Sequence, residues 1–481
     1  MKISFLIPSK NRLGLLKQAI ASIIDQDGME FEIIITDNCS SEDYKSYADE
    51  LKDPRIIYFR QPQPVSVTQN WQQALSLASG DYVLMLGDDD ALAPDFFSNV
   101  RQHLAPDGPD VVYLAAYNYS YPDVLPDAPA GYLKSVLNSE FFAGRQNPFS
   151  LDLPYAHDLA LSVLEFHHRV GLNAQHFLLK ASFSRQFAAI GGIYQSPYPD
   201  TFSAVATFTH ARSILVLPKE TVIIGISPKS FGAYYFSGRH DEGYRFLDNE
   251  QVEPAVRASL ESVILPGDKN NTNWLIAAEC ARQAFSDKLP RPVNFARYRA
   301  LQMLVVLRDS YLHGRRDHLD GLTEKLSGTE LLLFHALESA FRVASEAENV
   351  RQTFESIAAR LRQYEPAAET TFDIGAHSQM WDAYIWLKAH GRAGTQLSKP
   401  RRYARAASRR ARTGLTNVRG LFQRETEATV RERGADAALR VSQLEAENAS
   451  LRRQLDRYAA APKNETPPIS PQPSNRRSDK R

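Results

Sequence analysis

Cysteine is nearly absent from the 481-residue chain: Cys39 and Cys280 are the only two, and neither has metal-like spacing around it. A disulfide framework is excluded, and the simple expectation is a reducing, cytoplasmic setting. Long apolar runs are missing as well. The opening Met1-Lys2-Ile3-Ser4-Phe5-Leu6-Ile7-Pro8 is too short for a signal peptide, and no later run is long enough to span a bilayer, so neither a leader nor a transmembrane helix is expected. Net charge is also absent, with 56 basic against 56 acidic residues. That balance is uneven. Arg392 to Arg424 holds ten basic residues and no acidic one, so a polyanion would meet that segment and not the bulk of the chain. With 43% hydrophobic and 23% charged residues, wholesale disorder is excluded, and the length suits two or three folded units.

What is present begins as an alternation of periods. Ile3–Ile7 and Phe31–Thr36 are short and almost continuously apolar, as strands buried on both faces should be. Between them Leu16, Ala19, Ile20, Ile23 and Ile24 recur at helical spacing. Ile56-Ile57-Tyr58 then reads as strand, Thr68–Ser79 as helix and Tyr82–Leu86 as strand. Such units imply an α/β fold with a Rossmann-like, mainly parallel sheet over residues 1–240, whose ligands bind at the carboxyl ends of the strands. That edge carries Pro8–Arg12, Asp37–Ser40 and Gly87–Asp90.

Residues 120–160, rich in Pro, Tyr and Asp, are expected to form a long ordered loop. Residues 250–390 turn helical, with Leu301, Leu304, Val305 and Leu312 spaced for a bundle, and are read as a separate helical domain. The basic linker 391–424 is broken by Gly394, Pro400, Gly414 and Gly420. Over 425–461, Val441, Leu444, Asn448, Leu451, Leu455 and Tyr458 make a heptad seam and predict a coiled coil and a homo-oligomer. Residues 462–481 are proline-rich and expected to be a disordered tail.

Gly87-Asp88-Asp89-Asp90 follows directly on an apolar strand. Three adjacent carboxylates repel one another, and a hard cation, Mg²⁺ or Mn²⁺, bound through one or two of them plus substrate phosphates would hold them together. The plain alternative is a solvated acidic turn. Together with this turn, Phe5–Arg12, Ile33–Asp43 and Asn70-Trp71 resemble, in order and spacing, the motifs of family 2 glycosyltransferases. The resemblance is close over about residues 1–105 and looser to about 235.

It implies a GT-A fold and an inverting, metal-assisted transfer from a nucleotide-sugar donor, a UDP-sugar in the simplest case, to the hydroxyl of a glycan or lipid-linked acceptor. Such a reaction serves glycan, surface polysaccharide or glycoconjugate synthesis. Carried onto this chain, it implies that Pro8, Ser9, Arg12, Asp37, Asn70 and Asp88 bind the donor. Asp89 and Asp90 would face the metal, with His240 as a late ligand. Asp200, in Pro199-Asp200-Thr201 at a helix start, would be the catalytic base, or else only an N-cap. Lys229 and Arg239 are candidates to meet the leaving diphosphate, whereas His167 and His168 have no acidic partner at metal spacing. Two rival readings are a nucleotidyltransferase, disfavoured by the lack of a glycine-rich triphosphate loop, and a non-catalytic glycan-binding scaffold.

The glycines and proline within the basic segment exclude a continuous DNA-reading helix, so no nucleic-acid partner is expected. An anionic membrane surface is the candidate partner instead, each Lys or Arg near it being worth about 1 kcal/mol. The protein would then sit peripherally at the inner face of the membrane.

Overall fold

The computed structural model describes residues 1–126, 128–195, 197–236, 252–267, 269–314, 316–344, 346–364, 366–391 and 396–397. His240, Arg239, most of the basic linker, the heptad segment and the tail lie outside the described residues. Everything described falls within one compact unit, Met1–Arg401.

The alternation read from the sequence is realised in β1 (Lys2–Ser9), α1 (Leu13–Ile24), β2 (Glu30–Asp37), α2 (Tyr44–Leu51), β3 (Ile56–Arg60), α3 (Val67–Leu77) and β4 (Tyr82–Met85). β1 pairs in parallel with β2 on one side and β4 on the other, and β3 extends the run beyond β2. Successive residues of β1 serve opposite layers. Phe5 and Ile7 pack with Leu16, Ile20 and Ile23 of α1, while Leu6 packs with Ala74 and Leu75 of α3. Because both faces are covered, β1, β2 and β4 each carry a run of successive buried apolar residues. α3 starts on a capping box in which Ser66 and Gln69 exchange side-chain and backbone hydrogen bonds.

Beyond β4 the sheet is mixed, which corrects the mainly parallel expectation. After β5 (Ala91–Leu92) and α4 (Phe96–Val100) come β6 (Val111–Ser120), β7 (Tyr132–Leu137), β8 (Phe149–Ser150), α5 (Leu153–Leu164), β9 (Phe177–Lys180), α6 (Ala181–Arg185), α7 (Pro199–His210), β10 (Ile214–Ile226) and α8 (Phe231–Phe236). β9 inserts antiparallel between β4 and β6, β7 returns antiparallel on β6, and β10 runs parallel to β6. Residues 121–131 connect β6 to β7, which returns antiparallel and so needs no crossover helix. Residues 120–160, expected as loop, therefore contain the two strands β7 and β8 and the first part of α5.

Helices dominate residues 254–362, and Leu301, Leu304 and Val305 are buried as their spacing required. Those helices share a core with the sheet. Leu275, Ile276, Ala278 and Ala281 pack in the same cluster as Phe202 and Val205 of α7. A second cluster around Leu304, Phe334, Phe341 and Val350 stabilises the far side. The chain then returns to the sheet, where β11 (Ala368–Phe372) pairs with β7. The helix Met380–His390 follows, with Tyr384 and Lys388 both donating to Asp25 after α1. A strand thus interrupts the helical run before its last helix, Met380–His390. Cys39 and Cys280 are both free, and among the described residues no helix is long and apolar enough to cross a membrane.

Candidate active site

β1, β2 and β4 end on the same edge, and the chain leaving β4 makes a tight turn there. Leu86 still donates to Leu6 O at 2.9 Å, and Asp90 N closes the turn on Gly87 O at 3.2 Å. Gly87 is required by this geometry, because a Cβ there would stand 2.6 Å from Asp90 Oδ2. On the opposite side β10 presses its backbone against the turn. A Cβ on Gly225 would lie 1.8 Å from Asp89 O.

All three carboxylates are largely buried, and each has its own partners. Asp88 accepts from Ser9 Oγ at 2.5 Å and from Arg12 Nη1 at 2.9 Å. Asp89 accepts from Ser227 Oγ at 2.7 Å, with Arg12 Nη1 at 3.9 Å from its other oxygen. Asp90 is held by three donors: Gly87 N at 2.7 Å, Gly225 N at 2.8 Å and Gln175 Nε2 at 2.6 Å. Burial and the neighbouring Asp89 carboxylate push Asp90 up to about 8 despite these donors. Burial raises Asp88 too, opposed by Arg12 and abetted by Asp89. Burial works against the charge of Arg12, but Asp88 and Asp89 outweigh it and hold the guanidinium above its usual range. The plain reading of the trio as a solvated turn therefore fails.

Ser9 and Arg12 are tied to neighbouring elements at this edge. Tyr44 OH shares a hydrogen bond with Ser9 Oγ at 2.8 Å and accepts from Arg12 N at 2.7 Å. Arg12 also donates to Lys229 O, and Lys229 Nζ donates to Asn11 O at 2.6 Å, so Lys229 does reach this edge. Pro8 is partly buried beside Ser9. Asp37 is fully buried, and both of its oxygens are engaged. Oδ1 accepts from Ser40 N at 2.7 Å; Oδ2 accepts from Arg60 Nη1 at 2.6 Å and Tyr58 OH at 2.9 Å. A nucleobase would meet Asp37 only beside Arg60, whose side chain is about half exposed. Asn70 lies one layer deeper: it donates to Thr36 O and accepts from Gln61 Nε2, each at 3.0 Å. That arrangement makes it a tie between α3 and β2.

Asp200 is not an N-cap. Tyr198 occupies that position, and Asp200 sits in the first turn of α7 behind Pro199. Its Oδ1 accepts from Ala174 N at 2.6 Å, and burial pushes its carboxyl up to about 6. Ala174 and Gln175 belong to one short 3-10 turn, Ala174–His176. Adjacent residues of that turn thereby tie Asp200 to Asp90.

Among the described residues, the ring nitrogens of His168 and His176 make no hydrogen bond to Asp88, Asp89, Asp90 or Asp200. His176 is buried, stacks on Tyr113 at 5.2 Å and is pushed down to about 4 by burial. His168 stacks on Trp274 at 4.6 Å, and burial lowers it to about 3. Among the described residues no group of three or more His, Cys, Asp or Glu is placed to hold a metal. A divalent ion needs only one or two carboxylates when a diphosphate supplies further oxygens. Asp89 fits that role, since its second oxygen meets only the distant Arg12, whereas Asp90 fits only if Gln175 lets go.

Sequence reasoning missed Tyr44, Gln175, Gly225 and Ser227. The one local signal among these is the glycine at the end of a strand, Gly225; the others become neighbours through tertiary contact alone.

Comparison with known proteins adds to this geometry. Residues 4–150 match the glycosyl transferase family 2 model. A GalNAc(5)-diNAcBac-PP-undecaprenol beta-1,3-glucosyltransferase of Campylobacter jejuni is 40% identical over 104 residues, 21% of this chain and 34% of that protein. The putative colanic acid biosynthesis glycosyl transferase WcaA of Escherichia coli is 36% identical over 103 residues, 21% of this chain and 37% of that protein. The chain thus spans about a third of the length of the curated relatives it matches. A crystal structure of S. aureus TarS 1–349 overlays at a TM-score of 0.37 with 15% identity, over 74% of this chain and 91% of that one.

Proposed function

Starting from an N-terminal domain of glycosyl transferase family 2, we propose that the protein is an inverting glycosyltransferase of GT-A fold. In this reading it moves a sugar from a UDP-sugar to an acceptor hydroxyl. The observation that carries the reading is the turn Ala174–His176, which joins the acidic edge to Asp200 through two 2.6 Å hydrogen bonds. In this reading the donor edge and the proton acceptor share one support.

Arg12, charged and braced by Asp88, faces the donor together with Ser9 and, from the loop after β10, Lys229. Asp89 would hold Mg²⁺ or Mn²⁺ with the donor diphosphate, and the ion, when bound, neutralises charge growing on the leaving group. Asp200 takes the proton from the acceptor hydroxyl. The acceptor oxygen bonds to the anomeric carbon from the face opposite the leaving group, the carbon–phosphate-oxygen bond breaks, and its electron pair departs with UDP. A carboxyl raised to about 6 suits that task, because it is ionised at pH 7 yet more basic than an ordinary aspartate.

We further take the acceptor to be a glycan or a lipid-linked sugar, as the name of the Campylobacter jejuni relative says of that protein. Residues 392–424 would then approach an anionic membrane and residues 425–461 would pair two or more copies, with His240 a further metal ligand. Release of UDP from a panel of nucleotide sugars, with the anomeric configuration of the product read by NMR, tests the core of the reading. Turnover of one donor with inversion is expected, and no release from any nucleotide sugar would overturn it.

A further inference from the structure

The family match ends at residue 150, yet the acidic turn packs against residues far beyond it. Ala91, which follows Asp90, pairs with Ile223 of β10. Both lie in one buried cluster with Phe372 of β11 and with Met380, Ala383 and Leu387 of the helix Met380–His390. The segment that returns to the sheet after the helical block thus completes the core next to the acidic edge.

Met380 sits where that core meets the turn. A Cβ on Gly225 would fall 1.8 Å from Asp89 O and 3.1 Å from Met380 Cε. The carbonyl of Asp89 and the methyl of Met380 therefore converge on the same side of this glycine, whose N–H donates to Asp90 Oδ1 at 2.8 Å. Met380 is 1% exposed, so its methyl is enclosed, and removing it leaves a void into which the β10 backbone can relax. The helix that carries it is fixed in turn. Trp381 N donates to Gln18 Oε1 at 3.0 Å, and Tyr384 and Lys388 both donate to Asp25. These contacts anchor it on α1, the helix that starts directly after Arg12.

We propose that Met380 is a positioning residue for the acidic edge: packed against Gly225, it holds the end of β10 on Asp89 and so keeps the Gly225 N–H on Asp90. The inference rests on the glycosyltransfer reading for what that edge binds. It adds that the working unit runs to the helix Met380–His390, far past the residues that match the family.

The test uses the full chain and the variants Met380→Ala, Met380→Leu and Leu387→Ala. Leu387 lies about two turns further along the same helix and in the same cluster, so its truncation controls for loss of core alone. Amide hydrogen exchange is followed at residues 86–90 and 223–227 without nucleotide, and calorimetry with Mn²⁺ measures affinity for UDP. Met380→Ala should speed exchange in both stretches about tenfold beyond Leu387→Ala, and should weaken UDP binding about tenfold, a fraction of what a truncated core methionine can lose. Met380→Leu, near in volume, should restore both. Equal exchange in Met380→Ala and Leu387→Ala would overturn the proposal and leave Met380 an ordinary core residue. Faster exchange with unchanged affinity for UDP would overturn it as well. Because exchange is read without nucleotide, the two failures separate. A wild type that binds no UDP overturns the donor site itself and the proposal with it, whereas a wild type that binds UDP and variants that exchange alike overturn the proposal alone. Should Met380→Ala not fold, Met380→Val takes its place in the same comparison, with the same deciding outcomes.

Discussion

Asp200→Asn separates chemistry from architecture. Asparagine keeps an Oδ1 to accept from Ala174 N–H, the contact seen at 2.6 Å, but it cannot take a proton. General-base catalysis contributes about 10²–10⁴-fold, so kcat should fall on that scale while KM for the donor stays near wild type. The pH profile supplies an independent check. The wild-type carboxyl is raised to about 6 by burial, so activity should drop about tenfold per pH unit below that value, and this limb should vanish in the variant. Stability should move the other way. A carboxyl whose folded pKa lies above its unfolded one costs stability at high pH, and the cost is relieved as pH falls from about 6 towards 4. At pH 7 the cost is at most about 3 kcal/mol for a shift of this size; partial exposure reduces it. The variant should therefore unfold at the same or a higher urea midpoint than wild type at pH 7, and the two should converge near pH 4. Normal turnover, or a lower midpoint with an intact acid limb, would refute the assignment.

Other substitutions probe the acidic edge. Gly225→Ala brings a Cβ to 1.8 Å from Asp89 O, a backbone clash that should lower stability by about 1–3 kcal/mol in urea unfolding. Gly87→Ala meets side-chain carboxylate atoms and no backbone, Asp90 Oδ2 at 2.6 Å and Asp89 Oδ1 at 3.2 Å, so it should cost less stability than Gly225→Ala and relatively more activity. Arg12→Ala leaves Asp88 buried without its cation and should destabilise by about 3–5 kcal/mol, with the loss shrinking in the double variant Arg12→Ala/Asp88→Asn. Asn70→Ala, if the residue is a tie and not a donor contact, should lower the urea midpoint while leaving KM for the donor unchanged.

β1, β2 and β4 were legible because burial on both faces writes itself into the sequence as apolar runs, and the helices between them as a 3.6-residue period. β11 was not. Its Ala368-Glu369-Thr370-Thr371-Phe372 is polar and only partly covered, so no alternation marks it as a strand that returns to the sheet. β9 is apolar in Phe177-Leu178-Leu179, but its place between β4 and β6 depends on pairing with residues nearly 100 positions earlier. The site divides along the same line. Ser9, Arg12 and Asp88–Asp90 sit at strand ends and are visible as local motifs. Gln175 and Ser227 reach the same carboxylates from 85 and 138 residues away, and nothing near them in sequence signals it. Asp37 and Asn70 were visible, yet their partners Arg60 and Gln61 were not, so the extent to which they are already engaged could be known only from the fold.

Calorimetric titration of UDP-sugars into the wild-type chain and Asp89→Asn, with and without Mn²⁺, reaches the central claim that this edge holds a donor's diphosphate. The wild type should bind a donor more tightly when Mn²⁺ is present, and Asp89→Asn should lose that gain while keeping its fold. Equal affinity in both proteins regardless of Mn²⁺, or no affinity in either, would contradict it.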